Sequence, residues 1–286
     1  MEKIYIKARA KVNLTLSILE KRQDNYHNLE SVFQKINLYD EMWIEKTHTN
    51  YIEIEGNIKD VKLEDNIIYK AYQKLKEKFP NITGARVLLH KKIPMQAGLA
   101  GGSTDCASFL IAMKKLFNIV ISQKEIEEIA CFLGADVIPC LYNGAVKARG
   151  IGEIITPLNS NFKFYLVIIK PTLFCSTKEM FKKLDSRKTI NVLKTDKMIS
   201  ALDKKDINEL SKSLYNDFEE ILKDNEEIIN AKKVLIENGA ENALLSGAGS
   251  CVFGIFETKE KAKKAYRNLK ENYETYICST YNKKEK

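Results

Sequence analysis

Apolar and polar residues alternate along the opening of the chain, with the spacing of β-strands. The alternation runs through residues 3–56, where it predicts a series of hairpins, and it returns in residues 85–93. Further short strands are predicted at residues 144–148 and 153–156. The first half of the chain is therefore expected to be rich in strands, with helices between them.

Helical spacing marks the segments between these strands. One predicted helix has an apolar stripe that ends at Pro80. A second begins at a capping box, Ser122 to Glu125, and ends at Gly134. A third helix is predicted after residue 102, and three consecutive residues there are suitable N-caps: Ser103, Thr104 and Asp105. Its apolar positions recur with helical spacing at Cys106, Phe109, Leu110, Met113 and Phe117.

Residues 157–161 have the composition of a linker. A strand follows at residues 162–170, then helices, and then strands at residues 242–245, 251–256 and 276–280. Strands and helices alternate on both sides of the linker. This order predicts a mixed α/β (α+β) fold in two domains, residues 1–157 and 162–286.

The size and charge of the chain favour a globular protein that binds a small anionic molecule. The chain has 286 residues, of which 44% are hydrophobic, enough for sizeable cores. Its formal charge of +8 comes mostly from lysines on expected helix faces and at Lys283, Lys284 and Lys286. No aromatic residues are interleaved with a basic cluster, so the charge favours attraction of a small polyanion over nucleic-acid binding.

The cysteines and the chain start indicate a cytoplasmic location. The sequence contains no Cys-x-x-Cys pair, and most of its cysteines lie in apolar segments, which predicts buried reduced thiols. No apolar run reaches membrane-spanning length, and no apolar signal stretch follows Met1. The cysteines are Cys106, Cys131, Cys140, Cys175, Cys251 and Cys278.

The segment of residues 94–103 is the strongest candidate for a ligand site. Its glycines allow close approach to the backbone, and it precedes a predicted helix whose first N–H groups can bind an anion. It matches neither the P-loop nor the dinucleotide-binding pattern. A flexible surface turn is the alternative, but the order of strand, glycine loop and helix favours phosphate binding.

Three other segments carry candidate chemistry. Lys11 and Asn13 are expected to share one side of a strand, although a strand lysine is often only a solvated edge charge. Asp136 follows a helix end and is either a local cap or a base. Residues 246–250 form a second glycine turn, by itself a hairpin signal.

Taken together, these segments resemble the GHMP kinase superfamily along nearly the whole chain. The resemblance implies an N-terminal domain like the second domain of ribosomal protein S5 and a ferredoxin-like C-terminal domain. The matching segments are residues 10–13, 24–27, 65–66, 93–105, 133–137 and 246–250.

The resemblance is most detailed to a member of the non-mevalonate isoprenoid pathway. It implies ATP-dependent phosphorylation of the 2-hydroxyl of a methylerythritol that carries a cytidine diphosphate group. Two alternatives stay open: a homoserine- or mevalonate-type kinase of the same superfamily, and an S5-like nucleic-acid-binding module. A small-molecule substrate is expected, with neither nucleic acid nor membrane as a partner, and the oligomeric state is open.

The resemblance also implies roles for particular residues. Asp136 is expected to be the catalytic base beside Lys11, and Ser103 is the candidate for Mg²⁺. The cytidine end is assigned to Tyr26, His27 and Phe181, with Asn13 also on the substrate side; Phe181 has the alternative of being a core residue. The residues expected to bind ATP are Pro94, Met95, Gln96, Ala97, Gly98, Leu99, Ala100, Gly101, Gly102, Ser103 and Thr104, with Asn66 and Lys91 on the adenosine side.

The chain departs from the family pattern at three positions. Ala97 and Ala100 stand where glycine is frequent, and Asn25 stands where glycine usually precedes Tyr-His. Alanine is the smallest replacement, and asparagine tolerates the left-handed conformation, so function is expected to survive. A positive φ at Ala100 would strain the loop and reduce nucleotide affinity.

Overall fold

The computed structural model describes residues 2–58, 61–186 and 192–282. Its contacts divide the chain into two compact units. The first comprises Met1–Ala10, Tyr39–Ile93 and Ala100–Tyr142, and the second comprises Lys11–Leu38, Pro94–Leu99 and Asn143–Lys286. The domain boundary predicted at residues 157–162 stays a prediction.

The elements alternate as the sequence pattern predicts. The strands are β1 (Lys3–Lys21), β2 (His27–Lys46), β3 (Ile52–Gly56), β4 (Ala85–His90), β5 (Ala145–Gly150), β6 (Ile154–Pro157), β7 (Tyr165–Lys170), β8 (Tyr215–Asn216), β9 (Asn242–Leu245), β10 (Val252–Phe256) and β11 (Glu274–Ser279). The helices are α1 (Ile67–Lys78), α2 (Gly101–Leu116), α3 (Gln123–Leu133), α4 (Val137–Leu141), α5 (Thr177–Asp185), α6 (Thr195–Lys204), α7 (Ile207–Ser213), α8 (Glu226–Glu237) and α9 (Lys259–Leu269).

In the first unit, a sheet packs with a group of helices. β4 lies between β3, which is parallel to it, and the end of β2, which is antiparallel. Every second residue of β4 is buried, as its alternating sequence predicts. The helices α1 to α4 contact one another, and the fully buried rings of Tyr72 and Phe109 belong to α1 and α2. This packing fixes the position of β4 and α2, the two elements that flank the glycine loop.

In the second unit, an antiparallel sheet has the order β11-β7-β10-β9. The helices α8 and α9 pack against it, and its core includes Val167, Leu245 and Phe256. β5 pairs with both β2 and β6, and β8 runs parallel to β1. The hairpin predicted around residues 246–250 is confirmed as the turn between β9 and β10.

The cysteine prediction is only partly correct. All of the cysteines are free, and most are buried, but Cys131 is exposed and Cys175 is half-buried. Cys131 lies on the outer side of α3, whose buried stripe is formed by Ile126, Ile129 and Ala130. Within the described ranges, no helix is both long and apolar enough to span a membrane. The C-terminal lysines Lys283, Lys284 and Lys286 lie outside the described residues.

Candidate active site

The glycine loop joins β4 to α2, in the order that the sequence predicts. Ala100 is the N-cap of α2, and its φ of 55° lies in the left-handed region. Among the residues that the structure describes, no side chain caps the first turn of this helix. The N–H groups of Gly101, Gly102 and Ser103 have no acceptor within the helix, so they are available to an anion.

The predicted N-caps Ser103, Thr104 and Asp105 are wrong, because α2 begins earlier, at Gly101. Thr104 is buried, and its hydroxyl donates to the carbonyl oxygen of Arg9 at 2.6 Å. The carboxylate of Asp105 accepts from Lys91. Thr104 and Asp105 are therefore held inside the first unit, and the left-handed N-cap lets the helix start before them.

In the second unit, the other half of the loop is fixed by backbone contacts. The carbonyl oxygen of Gly98 accepts from the Ser246 hydroxyl at 2.9 Å, and that of Ala97 accepts from the Cys251 N–H at 3.3 Å. A Cβ on Gly98 would lie only 1.9 Å from the carbonyl oxygen of Ser246. Gly98 is therefore required by this close approach, and the turn between β9 and β10 supports the loop.

Lys11 is buried beside the loop in the second unit. Its backbone N–H donates to the carbonyl oxygen of Leu99 at 3.2 Å, and its ammonium donates to Asn13 Oδ1 at 2.8 Å. Asn13 in turn donates to the hydroxyl of Ser31 at 2.9 Å, and the ammonium lies 4.7 Å from the Phe33 ring centroid. The alternative of a solvated edge lysine is wrong: only 4% of Lys11 is exposed.

In the first unit, a buried cluster of charged residues joins the chain just before the loop to the helix just after it. The ammonium of Lys91, just past β4, contacts the carboxylates of both Asp40 and Asp105. Asp40 also accepts from the N–H groups of Lys92 and Ile93, the last two residues before the loop. The cluster therefore fixes the end of β4 to the first turns of α2.

Burial and neighbouring charge act in opposite directions within this cluster. Burial would lower the pKa of Lys91, but Asp105 and Asp40 raise it above its ordinary value. Burial raises the pKa of Asp105 to about 8, although the charge of Lys91 opposes this shift. Burial therefore favours the protonated form of Asp105, while the neighbouring ammonium of Lys91 favours the ionised form.

Asn66 and Asp136 occupy helix starts in the first unit. The side-chain oxygen of Asn66 accepts from the N–H of Ile68 and so caps α1. Asp136 is the exposed N-cap residue of α4. Within the described part of the chain, its side chain makes no capping hydrogen bond to that helix. The local-cap interpretation of Asp136 is therefore wrong, and its carboxylate is not committed to a cap.

The segment before β2 presents an exposed aromatic ring. The carboxylate of Asp24 accepts from the N–H of Tyr26 at 3.1 Å, and Asn25 has a φ of 68°. The expected tolerance of asparagine for a left-handed conformation is confirmed at this turn. The Tyr26 side chain is 58% exposed, so its ring face is open to a ligand.

His27, by contrast, is held on two sides. Its Nε2 is 2.6 Å from a carboxylate oxygen of Asp185, and the other oxygen of that carboxylate pairs with Lys21. The His27 ring stacks on Phe181 with centroids 5.2 Å apart and an interplanar angle of 20°. Phe181 also contacts Phe218 edge to face. Phe181 therefore packs against the core, as its alternative interpretation predicts, while stacking on a ligand base stays a prediction.

Each of the two units contains some of the predicted site residues. The second unit brings Lys11 to residues 94–99 of the loop and His27 to Phe181. The first unit contains the start of α2 and also Asn66, Lys91 and Asp136. Lys11 and Asp136 belong to different units, and their cooperation stays a prediction.

Sequence reasoning missed the partners of these residues. Asp40 and Asp105 are distant in sequence from Lys91, and Asp185 is distant from His27, so no local spacing connects them. One signal was present: Asp105 directly precedes the apolar stripe of α2, where a charged residue requires a partner. The partner itself could not be read from the pattern.

The start of α2 fits the phosphates of a nucleotide. Among the described residues, a Cβ added at Gly102 would meet nothing within 4 Å, so the space beside this residue of the uncapped first turn is open. In the described ranges, no group of three or more His, Cys, Asp and Glu side chains could hold a metal ion. The Ser103 hydroxyl at the helix start is the residue proposed to approach Mg²⁺.

Known proteins match both halves of the chain. The family models for the GHMP kinases N terminal domain and the GHMP kinases C terminal domain match residues 66–144 and 198–275. The 4-diphosphocytidyl-2-C-methyl-D-erythritol kinase of Alkaliphilus oremlandii is 38% identical over 99% of this chain and 98% of its own length. That of Thermoanaerobacter pseudethanolicus is 40% identical over 96% of this chain and 94% of its own length.

A solved structure supports the same relationship. The crystal structure of a 4-(cytidine 5'-diphospho)-2C-methyl-D-erythritol kinase has a TM-score of 0.85 and 27% identity, covering 98% of this chain and all of that chain. The predicted mixed α/β, two-domain fold is thereby confirmed. The chain belongs to the GHMP kinases, and within them to the 4-diphosphocytidyl-2-C-methyl-D-erythritol kinase family.

Proposed function

We propose that this kinase transfers the γ-phosphoryl group of ATP to the 2-hydroxyl of 4-diphosphocytidyl-2-C-methyl-D-erythritol. The relatives that match the chain from end to end support this substrate over homoserine or mevalonate. One structural observation carries the proposal. Lys11 is buried, its N–H donates to the carbonyl oxygen of Leu99 in the glycine loop, and that loop leads into a helix without a side-chain cap from the described residues. A nucleic-acid-binding module would have no use for this combination.

The glycine loop has the role of holding ATP. When bound, ATP supplies the phosphoryl group, and Mg²⁺ neutralises part of its charge. The first N–H groups of α2 and the positive end of the helix dipole bind the phosphates, and the loop backbone before them lines the same ligand. Ser103 is assigned to the metal, and Asn66 and Lys91 are assigned to the adenosine side.

Asp136 and Lys11 are assigned to the acceptor hydroxyl. A carboxylate that is not used in a cap can accept the hydroxyl proton, and Asp136 meets that requirement. An ammonium favours the developing alkoxide, and Lys11 is held in position by Asn13 and by the Leu99 carbonyl oxygen. Phosphoryl transfer needs little other covalent help from the protein, since positioning and charge dominate.

Tyr26, His27 and Phe181 are assigned to the cytidine end of the substrate. The exposed Tyr26 ring offers a stacking surface, which by the general scale contributes about 1–3 kcal/mol for each base. Stacking tolerates any base, so hydrogen bonds between His27 and the pyrimidine edge must supply the choice of base. A cytoplasmic location is also part of the proposal, and free cysteines throughout the chain support it.

A substrate panel tests the assignment of function. The purified chain is incubated with ATP and Mg²⁺, and ADP release is followed with the cytidine diphosphate conjugate, homoserine, mevalonate and free methylerythritol in separate reactions. We expect ADP release with the conjugate alone. Turnover with homoserine or mevalonate but not with the conjugate would contradict the proposal, and salt-dependent RNA binding without any ADP release would favour a nucleic-acid-binding module.

The variant Asp136→Asn tests the assignment of the base. We expect turnover to fall by about 10²–10⁴-fold, because the amide cannot accept the hydroxyl proton. The dissociation constant of ATP, measured by calorimetry, should change little. The matched control is Asp65→Asn, an exposed carboxylate of the same unit that has no assigned role. Near-normal turnover of Asp136→Asn would exclude Asp136 as the base.

A further inference from the structure

The contacts of His27 fix the proton on one of its two ring nitrogens. Nε2 lies 2.6 Å from a carboxylate oxygen of Asp185, and the His27 side chain is only 9% exposed. Lys21 pairs with the other oxygen of the same carboxylate. The ring face stacks on Phe181, and a flip of the imidazole within its plane would break the contact between Nε2 and Asp185.

Asp185 acts here as a hydrogen-bond acceptor. The hydrogen bond from Lys21 lowers the pKa of Asp185; burial opposes this effect, and the hydrogen bond from His27 adds to it. An ionised carboxylate has no proton to donate, so Nε2 must carry the proton of the hydrogen bond. In the neutral imidazole, Nδ1 is then the lone-pair acceptor.

An acceptor at Nδ1 distinguishes two pyrimidines of almost identical shape. Cytosine carries an exocyclic amine at C4, which is a donor, whereas uracil carries a carbonyl oxygen there, which is an acceptor. A lone pair on Nδ1 binds the amine and repels the carbonyl oxygen. A site that is built to pair with one donor rejects an analogue that lacks this donor, because its own polar group is then left unpaired.

We infer that Asp185 is a positioning residue for base recognition: it holds the His27 proton on Nε2 and so makes Nδ1 the acceptor that selects cytosine over uracil. The inference rests on the proposed function, since it requires the cytidine end of the substrate to meet His27. Lys21 contributes by orienting the Asp185 carboxylate. Neither Asp185 nor Lys21 is required to touch the substrate.

The variant Asp185→Asn exchanges the donor and acceptor roles of the two His27 ring nitrogens with little change in side-chain shape. Lys21 has only donors, so it takes the amide oxygen of the new side chain and leaves the NH₂ group facing His27 Nε2. The imidazole must then accept at Nε2 and carry its proton on Nδ1. The acceptor that selects cytosine thereby becomes a donor.

Two measurements test the inference. The first is ADP release with the cytidine diphosphate conjugate and with its uridine diphosphate counterpart. For Asp185→Asn we expect KM for the cytidine conjugate to rise about tenfold, the loss of one good hydrogen bond, with kcat little changed. The ratio of kcat/KM between the cytidine and uridine conjugates should fall by a similar factor or more. The control Glu179→Gln, an exposed carboxylate on the same helix, should leave both values unchanged.

The second measurement reads the tautomer without any substrate. The chain has three histidines, so long-range ¹H–¹⁵N spectra above pH 8 can assign the His27 ring nitrogens by comparison with His27→Gln. We expect the Nε2–H form in the wild type and the Nδ1–H form in Asp185→Asn. If Asp185→Asn does not fold, Asp185→Ala replaces it, with a mixture of tautomers and a partial loss of discrimination expected.

The outcomes separate the inference from the function on which it rests. A wild-type chain that releases no ADP with the cytidine conjugate contradicts the proposed function. A wild-type chain that is active, together with an Asp185→Asn variant that keeps its preference for cytosine, overturns the inference alone. An Nδ1–H tautomer in the wild type overturns it as well.

Discussion

The Lys91 cluster and the Lys21–Asp185 pair both combine lysine with aspartate, and burial gives them different properties. In the first unit, Lys91 lies between Asp40 and Asp105 with 15% of its side chain exposed. In the second unit, Lys21 pairs with Asp185 and is 46% exposed. Burial raises the pKa of Asp105, whereas the hydrogen bond from Lys21 lowers that of Asp185.

The difference separates a supporting role from a recognition role. The buried carboxylates bind backbone N–H groups and a shared ammonium, so they fix the two ends of the glycine loop. The partly exposed carboxylate of Asp185 holds the ring of His27, which is assigned to the substrate. The same residue types therefore stabilise the scaffold in one place and orient a binding group in the other.

The largest expected effect is on stability. Lys91→Met leaves two buried carboxyl groups without a cation, and we expect it to lower the free energy of unfolding by about 3 kcal/mol. Lys21→Met is the matched control, because its exposed ion pair contributes below about 1 kcal/mol. Urea unfolding without nucleotide measures both changes. Equal losses from the two variants would remove the contrast between the clusters.

The second prediction concerns pH. The ordinary pKa of an aspartate is 3.8, and that of Asp105 is raised to about 8 in the native chain. Between these values the native state holds a proton that the unfolded state has lost. The stability from this group is therefore full below about pH 4 and is lost as the pH rises to about 8.

The variant Asp105→Asn isolates that contribution, since the amide resembles the protonated carboxyl group and does not titrate. We expect the free energy of unfolding of the wild type to fall more steeply between pH 5 and pH 8 than that of the variant. Urea unfolding at several pH values gives both slopes. Parallel slopes would mean that Asp105 is ionised in the native state and that the cluster is more polar than its burial indicates.

The third and smallest effect on stability is expected within the glycine loop, whose two ends are fixed by the cluster of Lys91, Asp40 and Asp105. Ala100 has a φ of 55°, so Ala100→Gly removes left-handed strain, and we expect a gain of about 1 kcal/mol. Ala97 has no positive φ, and Ala97→Gly should cost about 1 kcal/mol. Thermal unfolding of both variants measures the two signs. Titration of the same variants with ATP shows whether the strain at Ala100 weakens nucleotide binding.

The sequence predicted the loop and the helix after it but not the way in which they are held. Local spacing identified the strand before residue 94, the apolar stripe of α2 and the placing of Lys11 and Asn13 on one side of a strand, because each depends on neighbours a few residues apart. The early helix start depends on the left-handed Ala100, a conformation that alanine rarely adopts. No propensity could have indicated it.

Contacts between distant residues were beyond the reach of the pattern. Asp185 follows His27 by more than 150 residues, and nothing in the spacing of either residue indicates the other. The capping role suggested for Asp136 was wrong because, in the described part of the chain, its side chain makes no capping hydrogen bond to α4, although the residue stands at the start of that helix. Such side-chain choices depend on the folded surroundings and not on residue type.

The central claim is transfer of phosphate to one hydroxyl of one substrate, and the position of the phosphate on the product tests it most directly. The conjugate is labelled with ¹³C at C2 of its methylerythritol group, and the product is examined by ³¹P and ¹³C spectroscopy after reaction with ATP. We predict a new phosphate monoester coupled to the labelled carbon, in an amount equal to the ADP formed. A phosphate on another hydroxyl, or ADP accompanied only by inorganic phosphate, would contradict the proposed function.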